Sequence, residues 1–195
     1  LQLYRTIMAE TVSTKSPYYP HVIRNTDIFL SLEDSLTPIK QSAEVFSARG
    51  DDLETAHSQN ALGMQLGRLG RLKEAKEALR KAEDLMADHV SGHAQTLNNR
   101  AVVRLAENRT DEGSRMLFYL ARDAVQFPFD RIVVAQNLAA FSAMTGEKEA
   151  SDAFLFSEQL LESLSLRNLG LKRSHLWNYS QWARSTGQTA LADKS

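Results

Sequence analysis

The chain has no cysteine among its 195 residues, and this absence removes several kinds of chemistry. Without thiols the protein has no disulfide bond, no thiolate zinc site and no cysteine nucleophile. An excess of charge of one sign is also lacking, because 23 lysines and arginines nearly balance 24 aspartates and glutamates. The net charge of −1 creates no field that favours nucleic acid or an anionic membrane as a partner.

Long apolar runs are missing as well, and none approaches the roughly 20 residues that a membrane-spanning helix requires. No secretory leader is recognisable at the start of the chain. We therefore expect a cytoplasmic protein without a membrane partner. Because the chain starts with Leu1 and a further helix begins near Ala190–Ser195, we also expect it to be part of a longer protein.

The most regular stretch, residues 56–86, has the pattern of two amphipathic helices joined at Gly70. In the second helix the apolar residues recur at steps of three and four, and they are Leu72, Ala75, Leu79, Ala82 and Met86. The facing stripe on the first helix consists of Leu62, Leu66 and Leu69. Gly63 and Gly67 leave room for close backbone approach, and Gly70 suits the left-handed conformation that ends a helix.

This hairpin is repeated along the chain. Small residues recur at intervals of 38, 38 and 41 residues, at Gly63, Ala101, Ala139 and Ser180. Seven residues after each lies a residue that tolerates a left-handed turn: Gly70, Asn108, Gly146 and Gly187. After three of these turns a small and then a bulky residue follow: Ala75 and Leu79, Gly113 and Leu117, Ala150 and Phe154. The pattern predicts an all-α fold, a right-handed superhelical solenoid of antiparallel helix hairpins with essentially no sheet.

The first 50 residues carry weaker signals. We expect a capping helix at residues 1–12, a break at Ser16–Pro20 and a helix over residues 21–31. Thr37-Pro38 is the predicted start of the next helix, with threonine as N-cap and proline at the first position. That helix runs to about Arg49 and ends at Gly50-Asp51-Asp52, and its buried residues are Ile39, Ala43 and Phe46.

The repeat resembles the tetratricopeptide repeat (TPR). The match is closest in residues 56–89, which contain N-A-L-G-x-x-L-G-x-L-G-R-L-x-E-A-x-x-x-L-x-x-A. It extends over 94–128 and 132–165, with an incomplete last repeat at 173–195 and a degenerate one within 1–50, so that residues 1–195 form one domain. Arg100 and Arg104 depart from the family pattern, because they stand where it usually has apolar residues.

The period exceeds the usual TPR length of about 34 residues. In this respect the chain looks like the long-period repeats of bacterial STAND-type signalling proteins and of kinesin light chain. Residues 97–101, L-N-N-R-A, are similar to the first-helix pattern of kinesin light chain. The resemblance implies a scaffold that binds other proteins.

Asparagine recurs on the predicted first helices, at Asn60, Asn99, Asn137 and Asn178. In the resembling family these helices line a concave groove, where asparagines hydrogen-bond the backbone of a bound peptide. An amide suits this role because it offers both a donor and an acceptor. The other predicted groove residues are His57, Met64, Arg68, Gln95, Val102, Gln136, Ala140 and Gln181. The alternative is that the asparagines cap turns or bond neighbouring helices.

Other motifs point to no further ligand. Gly63, Gly67 and Gly70 lie in and at the end of one helix rather than after a strand, so they form no dinucleotide-binding loop. His89 and His93 have the spacing of a helical metal site, but a solvated loop with Ser91 as N-cap or linker is favoured. The basic stretch at residues 68–81 is not continued on later repeats, which disfavours nucleic acid. We expect neither a cofactor nor a metal.

Aromatic residues of the C-terminal half are expected in the core between repeats: Phe118, Tyr119, Phe127, Phe129, Phe154, Phe156, Trp177 and Trp182. No nucleophile, base and acid combine into a catalytic constellation. The sequence therefore predicts a non-catalytic interaction domain that binds a partner peptide or protein segment on its concave face. The alternative is an intramolecular sensor or regulatory domain of a STAND-type ATPase or other multidomain effector, whose partner is another domain of its own chain.

Overall fold

The structure, a computed structural model, describes residues 24, 30–121, 128–145, 150–163 and 169–187. Its helices are Leu32–Ala48 (α1), Asp52–Arg68 (α2), Leu72–Leu85 (α3), Val90–Ala106 (α4), Thr110–Tyr119 (α5), Pro128–Thr145 (α6), Ala150–Ser163 (α7) and Leu169–Ser185 (α8). Within those ranges there is no strand, as predicted. The capping helix at 1–12, the break at 16–20, most of the helix at 21–31 and the turn at Gly146 lie outside the described residues. In the described part, no helix combines the length and the hydropathy that a membrane crossing needs.

The hairpin at residues 56–86 is confirmed as α2 and α3. α2 begins after Asp51, whose side chain accepts a hydrogen bond from the backbone N–H of Glu54 at 3.1 Å. It ends in a turn at Gly70, which has a φ of +74°. At Gly63 an added Cβ would lie 2.5 Å from Cγ of the buried Leu79, so glycine is what allows the two helices to approach this closely.

The other predicted turn residues are confirmed where the structure describes them. Asn108 has a φ of +61° and Gly187 a φ of +76°. The small residues that follow the turns are buried, and so are the bulky ones after them: Ala75, Gly113, Ala150, Leu79, Leu117 and Phe154. The sequence period therefore marks both the turns and the residues that fill the space between helices.

The predicted start of α1 is wrong. The helix begins at Leu32, and Pro38 lies inside it. Ser31 is the N-cap, because its Oγ accepts from the Asp34 backbone N–H at 3.1 Å and donates to Asp34 Oδ2 at 2.7 Å. This cap, together with the burial of Leu36 and Ile39 in the core of the unit, offsets the hydrogen bond that Pro38 removes from the helix. The predicted end is confirmed, since Arg49 is the C-cap, and so is the burial of Ile39, Ala43 and Phe46.

Tertiary contacts divide the chain into two compact units, with the boundary between Asn108 and Arg109. In unit 1, α1 packs on α2, α2 pairs with α3, and α4 packs against both α2 and α3. The core of this unit consists of Leu36, Ile39, Leu62, Leu66, Ala75, Ala78, Leu79 and Val103. Arg100 is half-buried and forms an ion pair with Glu83 of α3, which accommodates its departure from the family pattern.

In unit 2, α6 packs against α5, α7 and α8, and α7 also packs against α8. Phe154 lies at the centre, with its ring centroid 5.4 Å from those of both Tyr179 and Trp182. Phe154 and Trp182 are buried in the core, as predicted. The same cluster includes His175, whose ring is stacked on that of Tyr179. An aromatic cluster therefore holds α8 against α7.

Three aromatic residues that the sequence places in the core are instead exposed. Phe118, Tyr119 and Trp177 have exposed fractions of 53%, 58% and 65%. The reason is geometric, since consecutive residues on a helix point about 100° apart and a helix buries only one stripe. Leu117 occupies the buried stripe, so the two residues after it do not. The side chains of Phe127 and Phe129 lie outside the described part of the chain.

Candidate functional site

The first helices of unit 1 are joined by two of the predicted groove asparagines. Asn99 Nδ2 on α4 donates a hydrogen bond to Asn60 Oδ1 on α2, at 3.0 Å. Asn99 Oδ1 in turn accepts from Asn98 Nδ2 at 3.3 Å. Both Asn60 and Asn99 are half-buried. The structure thus shows the helix-to-helix bonding that the sequence left as an alternative, and it leaves the amide edges partly accessible.

Further predicted groove residues extend from this amide pair along the two helices. Met64 follows Asn60 by one helical turn and is 41% exposed, and Val102 follows Asn99 in the same way and is 42% exposed. Arg68 and Gln95 are also exposed, at opposite ends of the row. We call this surface the first-helix face of unit 1, and its residues are His57, Asn60, Met64, Arg68, Gln95, Asn99 and Val102. It combines amides and apolar side chains and contains no carboxylate.

His57 lies at one end of this face and is half-buried. Burial lowers the pKa of His57 below 6.5, against the opposing effect of the Glu54 carboxylate, and the positive charge of Arg24 lowers it further. At neutral pH the imidazole is therefore uncharged. A neutral imidazole offers one donor and one acceptor, which matches the chemistry of the neighbouring amides.

In unit 2 the predicted groove residues have different degrees of exposure. Asn137 and Asn178 are half-buried on α6 and α8, two helices that pack together. Gln181 is exposed, whereas Gln136 is only 7% exposed. Asn137 and Gln136 both have interactions within the chain. Of this set, Gln181 is the residue most accessible to a ligand.

Unit 2 also contains a serine and a histidine in contact. Ser157 Oγ and His175 Nδ1 share a hydrogen bond at 3.2 Å. Such a pair has the atoms of a nucleophile and its base. However, Ser157 is completely buried and His175 is 4% exposed, so no substrate reaches the hydroxyl. The pair belongs to the packing of α7 against α8.

His89 and His93 are not brought together with a set of metal ligands. α4 begins at Val90, so Ser91 lies inside the helix, and the predicted solvated loop is limited to the residues before it. His93 Nε2 lies 3.8 Å from Glu83, which is shared with Arg100. Within the described residues no group of three potential ligands is close enough to hold a metal ion.

Sequence reasoning missed an open groove on the other side of unit 1, between α1 and α3. Its volume is about 670 Å³, and Thr55 and Gln59 of α2 form its floor. The rim carries charges of both signs from Glu44, Lys81 and Asp84. No sequence motif marks this groove, since it is lined by α1 and α3, two helices that the whole of α2 separates in the chain. Its mixed charge defines no particular ligand.

No protein-family model matches the chain, and no curated protein sequence matches it. Solved structures do resemble it. One is the crystal structure of nearly identical TPR-like repeats from a putative kinesin light chain of Podosopora anserina, which has 16% sequence identity and a TM-score of 0.60. The match covers 90% of this chain and 89% of that chain. A single-residue variant of the same repeats matches with a TM-score of 0.61, over 90% and 88% of the two chains.

At this level of identity the likeness concerns the fold alone. It shows that the chain has a TPR-like helical repeat fold, as the sequence predicts. The right-handed sense of the solenoid and the likeness to STAND-type proteins stay predictions. The chemistry of a partner has to be argued from the residues on the surface of this chain.

Proposed function

We propose that this chain is a non-catalytic interaction module that binds an extended segment of a partner protein on the concave side of its repeats, where the first helices lie. The observation that carries the proposal is the amide pair of Asn60 and Asn99, which spans two adjacent first helices at a half-exposed position. Asn137, Asn178 and Gln181 supply similar groups on the first helices of unit 2.

The amide pair supports recognition of a peptide backbone. Asn60 Oδ1 accepts from Asn99, which leaves the NH₂ group of Asn60 with two donors. A peptide carbonyl that approaches Asn60 would accept from this group without regard to the side chain of the peptide residue. The internal bond also fixes the rotamers of both asparagines, so less conformational entropy is lost when a ligand binds.

The neighbouring side chains indicate what else the segment contains. Met64 and Val102 expose apolar surface beside the amide pair, and methionine adapts its shape to different ligands. The face carries the single cation Arg68 and no carboxylate, so it does not form a repeated basic clamp for a peptide C-terminus. A segment with apolar side chains on either side of a backbone carbonyl therefore fits best.

The test is selection of ligands from a library of random peptides displayed on phage, with the whole chain as bait. Peptides that are enriched are synthesised, and their dissociation constants are measured against the unmodified chain and against Asn60→Ala with Val102→Ser. We expect binding to weaken by about tenfold or more, because anchors at the centre of an interface carry most of the binding free energy.

The matched control is Lys73→Ala with Glu77→Ala, two exposed residues on the second helix α3. This variant should bind as the unmodified chain does. The proposal fails if no peptide is enriched, or if the first-helix variant stays folded by circular dichroism and binds with unchanged affinity. If no random peptide is enriched but peptides copied from other parts of the full-length protein bind, an intramolecular regulatory domain is favoured instead.

A further inference from the structure

Three asparagines form a row of hydrogen bonds at the first-helix face, and both bonds of the row run in the same direction. Asn98 Nδ2 donates to Asn99 Oδ1 at 3.3 Å, and Asn99 Nδ2 donates to Asn60 Oδ1 at 3.0 Å. Asn98 is 5% exposed, and further interactions within the chain hold it in place. The oxygens of the two half-buried asparagines therefore each accept a bond already.

The groups of the row that remain available are N–H donors. Within the part of the chain that the structure describes, nothing accepts from the NH₂ group of Asn60, and the second N–H of Asn99 is in the same position. In a buried interface an N–H without a partner is less tolerated than a carbonyl oxygen that uses one of its two lone pairs. The row therefore needs hydrogen-bond acceptors from a ligand.

The rest of the first-helix face adds donors and apolar surface. Arg68 has donors only, and the face contains no carboxylate. Met64 and Val102 lie beside the amides, with exposed fractions of 41% and 42%. A peptide N–H that faces this surface meets few acceptors, and its burial without a hydrogen bond is unfavourable. A backbone that has carbonyl groups but few N–H groups fits the surface better.

We infer that the segment bound by the first-helix face is an extended, proline-containing one, and that Asn98 is the positioning residue that selects it. The inference rests on the function proposed above and specifies its ligand. Proline lacks the backbone N–H but keeps the carbonyl group, which accepts from Asn60. Its ring packs on Met64 and Val102, and its fixed φ keeps the free segment extended, so less entropy is lost on binding.

Asn98 acts through Asn99, because the donor at position 98 decides which way the next amide turns. Asn99 presents its oxygen to Asn98 and its NH₂ group to Asn60. A carboxylate at position 98 only accepts at neutral pH, so it would attract the NH₂ group of Asn99 instead. Asn99 Oδ1 would then face Asn60, whose NH₂ group would turn toward it and whose oxygen would face the ligand. One buried side chain thus sets the direction of the whole row.

The test measures the binding of three fluorescent peptides to the whole chain by anisotropy. Each has about eight residues, which in an extended form cross two adjacent helices. Leucine alternates with proline in the first, with N-methylalanine in the second and with alanine in the third, and serine at both ends keeps them soluble. N-methylalanine lacks the N–H but has no ring. We expect the first two to bind at least about tenfold more tightly than the alanine peptide.

Variants of Asn98 test its positioning role at neutral pH. Asn98→Asp should lower the ratio of the alanine and proline dissociation constants from about tenfold to about one or less, since it reverses the row. Asn98→Ala removes the donor and should also lower the ratio. The matched control, Gln41→Ala, removes an exposed amide from α1 and should leave the ratio unchanged. A variant that is only less stable weakens all three peptides together, so the ratio separates positioning from folding.

Three results would overturn the inference. The alanine peptide binds as tightly as the proline peptide, the N-methylalanine peptide binds no better than the alanine peptide, or the Asn98 variants stay folded by circular dichroism and leave the ratio unchanged. If one variant unfolds, the other one and the three peptides decide. If none of the three peptides binds but random peptides are enriched on phage, the inference is wrong and the proposed function stands. If neither kind binds, both are wrong.

Discussion

Gly63 lies directly against the side chain of Leu79, so that a Cβ on residue 63 would come within 2.5 Å of Leu79 Cγ and 3.2 Å of the Ala75 carbonyl oxygen. This contact fixes the distance between α2 and α3. Cγ is the branch point of a fully buried leucine and not the far end of a flexible side chain, so it cannot swing away without moving the whole side chain. The hairpin therefore depends on the absence of a side chain at one position.

Gly63→Ala should destabilise unit 1 by about 1–2 kcal/mol. Overpacking costs about 1–3 kcal/mol, and the gain of about 1 kcal/mol in helix propensity offsets part of it. The control is Gly67→Ala in the same helix, where the nearest side-chain atom, Val103 Cγ2, lies at 3.3 Å. Urea unfolding followed by circular dichroism measures both. Equal effects of the two substitutions would contradict the close contact at Gly63.

Ser31→Ala should lower the free energy of unfolding by about 1 kcal/mol, because it removes the acceptor for the Asp34 N–H at the start of α1. Thr37→Ala should have little effect, since Thr37 lies inside the helix, where alanine has the higher propensity. Comparison of these two substitutions distinguishes the observed helix start at Leu32 from the later start that Thr37-Pro38 predicts. If Thr37→Ala were the more damaging substitution, the earlier start at Leu32 would be wrong.

The effects of Asn60→Ala and Asn99→Ala on the free energy of unfolding should depart from additivity by about 1 kcal/mol. This is the usual net contribution of one hydrogen bond between partly buried groups. A double-mutant cycle of unfolding free energies measures the coupling. Additive effects would show that the two amides do not bond each other. Because of this bond, loss of ligand binding in an Asn99 variant has to be judged against its loss of stability.

The free energy of unfolding of unit 2 should fall as the pH falls, because the buried imidazole of His175 resists protonation in the folded state. Burial holds the pKa of His175 below its ordinary value of 6.5, with Glu158 opposing the shift. The unfolded chain therefore takes up a proton near pH 6.5 that the folded chain refuses until lower pH. The contribution of neutral His175 to the free energy of unfolding is therefore fully present above pH 6.5. It declines as the pH falls from there toward the lower pKa of the folded state.

Tryptophan fluorescence during urea unfolding reports this effect, because the two tryptophans, Trp177 and Trp182, both lie in α8 of unit 2. In His175→Gln the decline between neutral and mildly acidic pH should be smaller than in the unmodified chain. The same decline in both proteins would assign the pH dependence to other groups.

Much of the fold follows from the sequence because its signals are local. The steps of three and four in α3 and the left-handed turn at Gly70 depend only on residues that are close in the chain. The start of α1 is also encoded locally, in Ser31 and Asp34, but Thr37-Pro38 is a competing signal that points to a later start. The repeat adds further support, since the same turn chemistry recurs at Asn108 and Gly187.

The candidate sites depend more on tertiary structure. Asparagine recurrence in the sequence located Asn60 and Asn99, but their hydrogen bond joins residues 39 positions apart, so it exists only once α2 and α4 are packed. The exposure of Phe118 and Leu155 is a similar case. An aromatic or aliphatic residue beside a buried one looks like core in a sequence, and the rotation of the helix against its neighbours decides its exposure.

By itself, the sequence determined that this protein is a TPR-like array of helix hairpins, because the helical periodicity, the turns and the small residues are each encoded within a few residues and recur at intervals of 38 to 41 residues. Only the tertiary structure decided which polar groups bond each other and which apolar residues are exposed. These properties depend on the distance and rotation between helices that are far apart in the chain. The recurrence of asparagine therefore names candidate residues for the first-helix face, and the packing decides which of them bond each other and which a partner can reach.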